Sequence, residues 1–229
     1  MNRCADYISH YKADAEQFDY FNNPDRTDRA YEVLFRKFIR RLAGKPARML
    51  DVGSGSGWTR DIPHDQVFFV DLSNKNLLAL NSGSSGAVLA DACCLPFKTK
   101  SLDFVVASEI MEHLNSPKTA ADEILRVLEK GGKAIVSTPY KEKLRYALCI
   151  HCNKVTPMNA HLHSFDRENL SSLFPDVQKR TYLFGSKALV LLRMPRLFCG
   201  LPLWMWRLID CLMVRFSDRA QHLIVVLEK

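Results

Sequence analysis

Apolar side chains recur at helical spacing near the start of the chain, between residues 27 and 42. The stripe comprises Tyr31, Leu34, Phe35, Phe38, Ile39 and Leu42. A period of 3.6 residues predicts an amphipathic helix, and Gly44 and Pro46 mark its end because neither residue continues a helix easily. We therefore expect residues 27–42 to form a helix with one buried face.

Farther along the chain, short apolar runs rich in β-branched residues alternate with longer amphipathic segments. This pattern predicts strands at residues 48–52, 67–71, 87–90, 103–107 and 133–137. The clearest intervening helix is predicted at 119–129, with Gly131 and Gly132 ending it. Alternating strand and helix units of this length form parallel sheets with helices on both faces. The pattern therefore predicts a doubly wound α/β fold.

The alternation stops after Pro139, and the rest of the chain mixes loops, short helices and two strands. We predict helices at 167–173 and 203–216 and strands at 181–184 and 222–227. The predicted organisation is an N-terminal helical cap at residues 1–46, a core at 47–140, and a segment at 141–229 that completes the same domain. This last segment holds a Cys/His-containing insertion, a hydrophobic helical insertion and the final strands.

The composition is ordinary for a soluble globular protein, with 47% hydrophobic and 25% charged residues, and it argues against disordered or collagen-like chains. The net charge of +7 permits a nucleic-acid or anionic-lipid partner without requiring one. Seven cysteines without a framework spacing favour a reducing, cytoplasmic compartment. We expect no signal peptide and, since no run of about 18 apolar residues occurs, no transmembrane helix.

Three glycines at alternate positions follow the first predicted strand, in the stretch LDVGSGSG at residues 50–57. In an open α/β sheet, ligands bind beyond the carboxyl ends of the strands where the strand order reverses. Gly53, Gly55 and Gly57 should therefore line a ligand site. Their spacing, G-x-G-x-G, differs from the G-x-G-x-x-G fingerprint that holds a dinucleotide pyrophosphate.

Acidic residues end the next two predicted strands and indicate the kind of ligand. The carboxylate of Asp71 could accept hydrogen bonds from both hydroxyls of a ribose. Leu72 could pack against an adenine face, and Asp91 could accept from the exocyclic amine. Because no phosphate-binding lysine is evident, the pattern favours an adenosine compound that is not a phosphate ester, and Asp51 would suit a cationic amino group on it.

Four ordered motifs, LDVGSGSG, VDLS, ADACCLPFKTKSLDFVVASEIMEHL and EILRVLEKGGKAIVSTP, carry a resemblance to a known family. Together they resemble the class I S-adenosylmethionine-dependent methyltransferases, particularly the small type-11-like members. The resemblance covers residues 48–139. It implies a seven-stranded sheet with a final antiparallel hairpin, and an enzyme that transfers a methyl group from S-adenosyl-L-methionine to an acceptor.

The resemblance also implies roles for individual residues. The loop at 51–57 would border the methionine part of the cofactor, Asp71 the ribose, and Ser108 the sulfonium. Asp91 and Ala92 would border the adenine. The implied cofactor-binding set is Asp51, Gly53, Ser54, Gly55, Gly57, Asp71, Leu72, Asp91, Ala92 and Ser108. The N-terminal aromatic residues Tyr11, Phe18, Tyr20 and Phe21 would fold over the cofactor or, alternatively, pack a helix onto the sheet.

Methyl transfer from a sulfonium needs alignment, and it needs a base only if the acceptor must lose a proton. Glu109, Glu112 and His113 form an E-x-x-E-H element. It resembles the divalent-ion site of quinone-biosynthesis O-methyltransferases and of small-RNA 3′-terminal methyltransferases, and a metal there would lower the pKa of an acceptor hydroxyl. The alternative interpretation is an ordinary helix-start network in which His113 is the base.

Two cysteines and two histidines in the insertion form a second constellation. Cys149-x-x-Cys152 followed by His161-x-His163 could complete a tetrahedral, structural zinc site. Alternatively, His161 or His163 faces the substrate pocket or joins the E-x-x-E-H element.

The apolar stretch at 203–216 is predicted to be either a core or lid helix, or a cap that faces a membrane or a lipid substrate. The preferred function is a methyltransferase acting on a small-molecule or lipid-like acceptor. The alternatives are RNA methylation, metal-assisted O-methylation, and a catalytically silent cofactor-binding regulatory protein. Neither the acceptor atom nor the oligomeric state is determined by the sequence.

Overall fold

A seven-stranded sheet forms the centre of the computed structural model, which describes residues 26–80, 85–148, 155–198 and 200–229. Its strands are β1 (Arg48–Val52), β2 (Gln66–Asp71), β3 (Ser85–Leu89), β4 (Leu102–Ser108), β5 (Leu128–Pro139), β8 (Gln178–Ser186) and β9 (Ala220–Glu228). A separate antiparallel hairpin pairs β6 (Tyr146–Leu148) with β7 (Val155–Pro157).

Helices flank the sheet and fill the connections between strands. They are α1 (Arg26–Ala43), α2 (Asn74–Leu80), α3 (Pro117–Val127), α4 (Arg167–Ser172), α5 (Lys187–Leu191), α6 (Met194–Phe198) and α7 (Leu203–Ser217). Short 3₁₀ turns span Trp58–Asp61, Met111–His113 and Met158–Ala160. No helix in the described part of the chain is long and apolar enough to cross a membrane.

The strand order is β3-β2-β1-β4-β5-β9-β8, in which β1 to β5 run parallel and β9 runs antiparallel to both of its neighbours. The chain proceeds from β1 outward to β3 and then returns to place β4 on the other side of β1. The carboxyl ends of β1 and β4 therefore flank a crevice at the switch point. The doubly wound fold and the final antiparallel hairpin are confirmed.

Two hydrophobic clusters lie on opposite faces of this sheet. Along β1, Leu50 belongs to one cluster and Met49 to the other, as the alternation of side chains along a strand requires. The predicted stripe of α1 supplies the buried residues Leu34, Phe35, Phe38 and Ile39 to one face. The helix α3 packs on the opposite face through residues such as Ile124.

The predicted end of the helix at 119–129 is wrong. The helix ends at Val127, and Gly131 and Gly132 lie inside the long strand β5. The pairing of β5 with β4 jumps between Leu128 and Lys133, so the intervening residues form a bulge. Gly131 has φ of 79° there, and its amide donates to the carbonyl of Lys229 at 2.7 Å. These glycines accommodate a break in strand pairing, not the end of a helix.

The helix α7 is held on β8 by a buried carboxylate. Asp210 is fully buried and accepts hydrogen bonds from the backbone amides of Gly185 at 3.0 Å and Ser186 at 2.6 Å. Arg207 donates to the same carboxylate at 2.6 Å. Burial raises the pKa of Asp210, and the two amides and Arg207 offset part of that rise.

Candidate functional site

The glycine loop closes tightly onto the end of β2. The amides of Gly53 and Ser54 both donate to the carbonyl of Val70, at 2.8 and 3.0 Å. Gly53 has φ of +70°, and a Cβ on it would lie 2.2 Å from Cδ1 of Ile110. Both the backbone conformation and this close approach therefore require glycine.

Asp71 supports the loop and still has hydrogen-bonding capacity. Its Oδ2 accepts from the amide of Gly55 at 2.8 Å, and its Oδ1 accepts from the amide of Ser73 at 2.8 Å. Since each carboxylate oxygen offers two lone-pair sites, one site remains on each oxygen. Asp71 is 8% exposed and lies on the wall of the crevice, so these sites are available to a ligand with two hydroxyls.

Asp51 lies beneath the loop and not on the cavity wall. Its Oδ2 accepts from Oγ1 of Thr59 at 2.5 Å, and its side chain is 3% exposed. Burial, with a further contribution from the charge of Asp71, raises the pKa of Asp51 to about 7 in spite of the hydrogen bond from Thr59. Gly57 does not line the cavity either, and a Cβ on it would lie 2.3 Å from Cδ2 of Leu80.

A cavity of about 720 Å³ opens at the carboxyl ends of β1, β2 and β4. This volume is within the range of small-molecule sites. Seven of the residues predicted to bind the cofactor line it: Gly53, Ser54, Gly55, Asp71, Leu72, Ala92 and Ser108. The cavity is also lined by Tyr31, Phe35, Glu109, Ile110, His113, Leu114, Asn159, Ala160, His161 and His222.

Asp91 lies just behind this wall. Its two neighbours, Ala90 and Ala92, line the cavity, while its own Oδ1 accepts from the amide of Cys93 at 2.8 Å. The carboxylate thus stabilises the turn after β3. Contact between Asp91 and a base stays a prediction.

Glu109 does not point toward the other members of the E-x-x-E-H element. It has φ of +54°, and its Oε1 lies 3.0 Å from Nδ1 of His222 on β9. Burial by itself would raise the pKa of Glu109, but His222 and a hydrogen bond with Ser137 hold that pKa below its ordinary value. Tyr31 of α1 stacks on His222 with ring centroids 5.6 Å apart.

Glu112 and His113 meet His161 from the insertion. One ligand atom from each of the three lies within 4.8 Å of the others. Glu112 is 1% exposed, and neither of its carboxylate oxygens has a hydrogen-bond partner. Burial, followed by repulsion from Glu109, raises the pKa of Glu112 well above its usual range.

The two histidines of this cluster are oriented by contacts on their Nδ1 atoms. Nδ1 of His113 lies 3.3 Å from the carbonyl of Ala160, and Nδ1 of His161 donates to Glu142. These contacts assign the ring protons to Nδ1 and leave Nε2 as the basic nitrogen in each ring. Burial and the neighbouring His161 lower the pKa of His113 to about 4, so its imidazole is neutral at pH 7.

The predicted Cys/His zinc site stays a prediction, because two of its four ligands lie outside the described residues. His161 belongs to the cluster with Glu112, as one of the alternatives held, and Nε2 of His163 lies 2.8 Å from the carbonyl of Leu114. Cys149 and Cys152 lie outside the described residues. Tyr11, Phe18, Tyr20 and Phe21 lie outside them as well.

Sequence reasoning missed His222 and assigned Tyr31 only to a helix stripe. His222 reaches the cavity because β9 runs antiparallel to β5, which pairs Pro139 at the end of β5 with His222 near the start of β9. The predicted final hairpin could have revealed His222. A strand that runs antiparallel to its neighbour places its first residues beside the carboxyl end of that neighbour.

A family model for a methyltransferase domain matches residues 50–136, which contain the glycine loop, Asp71 and the E-x-x-E-H element. The matched segment is similar to a methyltransferase domain, and the fold is that of the class I S-adenosylmethionine-dependent methyltransferases. A curated relative of this methyltransferase is the demethylmenaquinone methyltransferase of Chlamydia felis, 28% identical over 159 residues, which are 64% of this chain and 69% of that protein. The malonyl-acyl-carrier-protein O-methyltransferase of Methylococcus capsulatus is 32% identical over 110 residues, 44% of this chain and 40% of that protein.

Solved structures show the same fold for this methyltransferase. Phosphoethanolamine N-methyltransferase 2 of Haemonchus contortus, in complex with S-adenosyl-L-methionine, matches with a TM-score of 0.62 and 15% identity. The match covers 99% of this chain and 60% of that one. At this identity the likeness establishes the architecture and does not extend to the acceptor.

Proposed function

We propose that this methyltransferase binds S-adenosyl-L-methionine along the glycine loop and methylates a small or lipid-like acceptor held against the Glu109, His113 and His222 side. The observation that carries the proposal is the carboxylate of Asp71. It is buried, oriented by two backbone amides, and has one acceptor site left on each oxygen. A ribose presents two neighbouring hydroxyls, which match that arrangement.

The bound cofactor would supply an activated methyl group, and the protein would supply alignment and proton removal. His113 is neutral at pH 7, so its imidazole would orient an acceptor hydroxyl and receive its proton, as a weak base because its pKa is about 4. Glu109 and His222 provide polar contacts on the same side. These residues would orient the acceptor while the glycine loop holds the cofactor.

The acceptor class is suggested by the cavity lining and by the relatives. Phe35, Ile110 and Leu114 make part of the acceptor side apolar. The two curated relatives are named for demethylmenaquinone and for malonyl-acyl-carrier protein. We therefore propose an acceptor that combines a polar reactive group with an apolar part, and a cytoplasmic enzyme, in keeping with the free cysteines Cys93, Cys94 and Cys211.

The test is calorimetric titration with S-adenosylhomocysteine, with NADH as a control ligand. Replacing Asp71→Ala should weaken binding by about 100-fold, since hydrogen bonds to a charged group contribute on the order of 1.5–3 kcal/mol each. Asp65→Ala is the matched control. Asp65 precedes the opposite end of β2 and is largely exposed, so affinity should not change.

Two results would contradict the proposal. Absence of S-adenosylhomocysteine binding by the wild type would remove the cofactor site, and equal losses in both variants would remove the role of Asp71. Binding without transfer of a labelled methyl group to any component of a cell extract would favour the catalytically silent alternative.

A second candidate, metal-assisted O-methylation, is favoured by the cluster of Glu112, His113 and His161. The unpartnered, buried carboxylate of Glu112 fits a divalent cation, which would supply its missing partner. The contact of His161 with Glu142 also fits, because metal-binding histidines usually donate their other ring nitrogen to a carboxylate or carbonyl. A cation held here would lower the pKa of an acceptor hydroxyl.

Titration with Co²⁺, followed by its visible absorption, tests this second candidate. Binding should be lost in Glu112→Gln and in His161→Ala. It should persist in His64→Ala, which removes a histidine located away from the cluster. Equal cobalt binding by all variants, or none by the wild type, would leave His113 as a base without a metal.

A further inference from the structure

The helix α7 is apolar on both faces, and its polar contacts point inward. Trp206, Asp210 and Val214 form the buried face. Trp204, Leu208 and Leu212, each four residues from the next, form the outward face and are 63%, 59% and 49% exposed. A surface helix of a globular protein normally presents polar residues outward, so this arrangement is inverted.

Exposed apolar side chains also occur in the two short helices that precede α7 in the chain. Seven of the 14 large apolar side chains that are exposed in the described part of the chain lie between residues 191 and 216. They are Leu191, Leu192, Leu197, Trp204, Leu208, Leu212 and Phe216, and we call them the outer helical face. Contacts join α5 to both α6 and α7, so the three helices form one unit. Clustering of this kind marks an interaction surface, whereas scattered exposed residues do not.

Charge around this face is strongly one-sided. Residues 187–219 contain six basic and two acidic side chains. Both acids are engaged, since Asp210 is buried against Arg207 and Asp218 bonds to Lys141 at 2.6 Å. Arg193, Arg215 and Arg219 remain exposed beside the apolar residues. An apolar surface bordered by arginines is complementary to an anionic lipid bilayer.

We propose that the outer helical face binds the surface of anionic membranes. The 15 residues of α7 span only about 22 Å at 1.5 Å per residue, which suits a helix lying in the interface plane. Trp204 is of the type that concentrates at that interface. A second copy of the chain is a poorer occupant, because a two-fold contact would bring the same arginines together.

The location of this face would bring the cavity close to the bilayer. Asp210 ties the buried side of α7 to Gly185, and a Cβ on Gly185 would lie 2.2 Å from the hydroxyl of Tyr31. Tyr31 lines the cavity. One layer of structure therefore separates the proposed membrane surface from the acceptor side. The proposal does not depend on the identity of the acceptor.

Co-sedimentation with vesicles tests the proposal, using pure phosphatidylcholine and phosphatidylcholine mixed with phosphatidylglycerol. The wild type should bind the mixed vesicles more tightly, and added salt should weaken binding. Leu208→Asp should weaken binding by about tenfold or more, since it withdraws a leucine and adds a repelling charge. Leu78→Asp, the same change at an exposed residue of α2 outside the cavity lining, should bind like the wild type.

A charge variant provides an independent measurement. Arg215→Glu should weaken binding by at least about fivefold, the effect of one basic residue at an anionic surface. Arg41→Glu reverses an exposed arginine of α1 and should have no comparable effect. Absence of binding to mixed vesicles at low salt would overturn the proposal. Equal losses of vesicle binding in test and control variants would overturn it as well. So would a wild-type dimer that does not bind vesicles and that Leu208→Asp converts to a monomer. Leu208→Asp should bind S-adenosylhomocysteine as the wild type does. A loss of vesicle binding in this variant is then independent of the proposed methyltransferase activity.

Discussion

The two sides of the cavity are built in different ways. The cofactor side takes most of its residues from two neighbouring strand ends, between Gly53 and Leu72. The amides of Gly53, Ser54 and Gly55 in its loop are paired. The acceptor side combines α1, the turn after β4, the insertion and β9, so it brings together Tyr31, His113, His161 and His222. The residues of the first side are therefore close together in the sequence, whereas those of the second side are far apart and are brought together by the fold.

The electrostatics differ in the same way. On the cofactor side, the buried carboxylate of Asp71 is held by backbone amides. On the acceptor side, Glu112 has unpartnered oxygens and the pKa of His113 is lowered to about 4. A carboxylate that is fixed by backbone amides and keeps one acceptor site on each oxygen is suited to hold one ligand in one position. Unsatisfied and shifted groups are typical of sites that bind or react with a second partner.

The largest expected effect concerns Asp51, which lies beneath the glycine loop on the cofactor side but has a strongly shifted pKa. Its pKa is raised from 3.8 to about 7, so the stability that it contributes is present below pH 4 and is lost as the pH rises through 7. That loss is on the order of 4 kcal/mol at pH 8. Asp51→Asn keeps an acceptor for Thr59 and should unfold at higher urea than the wild type at pH 8, with little difference at pH 4.

Asp65→Asn provides the control, because the side chain of Asp65 is exposed. A parallel shift of both variants, or an unchanged difference across this pH range, would show that Asp51 is not a buried charge in the folded protein.

The second expected effect compares two glycines that share a left-handed backbone conformation but differ in the space around them. Gly44 and Gly53 both have φ of +70°, but only Gly53 would bring a Cβ against Ile110. Each substitution to alanine should cost about 1–2 kcal/mol of unfolding free energy for the left-handed backbone. Gly53→Ala should add about 1–3 kcal/mol for overpacking and, because Ile110 lines the cavity, should also weaken S-adenosylhomocysteine binding. Equal stability and binding in the two variants would remove the distinction.

The contrast explains how much could be predicted from the sequence. The strands β1, β2 and β4 were predicted to within one residue, because each is a short apolar run with a turn signal at its end. The glycine loop and Asp71 follow directly from those strand ends. By contrast, His222 lies more than a hundred residues from the glycine loop, and its position depends on antiparallel pairing. The bulge at Gly131 was also missed, since a glycine pair has the same local signature at a helix end and in a strand.

The smallest expected effect is an opposite pH dependence of the stability contributed by the two glutamates of the acceptor side. The pKa of Glu112 is raised, so its stabilising contribution is present at low pH and is lost as the pH rises toward that pKa. The pKa of Glu109 is lowered, so its contribution is present above pH 4.5 and is lost as the pH falls through the lowered value. Glu112→Gln should therefore become relatively more stable than the wild type as the pH rises. Glu109→Gln should be less stable by about 1 kcal/mol at pH 7, because it loses the charge facing His222.

Urea unfolding measures how the difference in unfolding free energy between each variant and the wild type changes with pH, which is the slope compared here. Each variant is the control of the other, since both remove one carboxylate from the E-x-x-E-H element. Slopes of the same sign would mean that the pairing of Glu109 with His222 does not set its charge. Slopes of opposite sign would mean that one motif, E-x-x-E-H, has been divided by the fold into an ion-paired acid and an unpaired one. The spacing in the sequence cannot distinguish these two acids, because the difference comes from β9 and from the insertion.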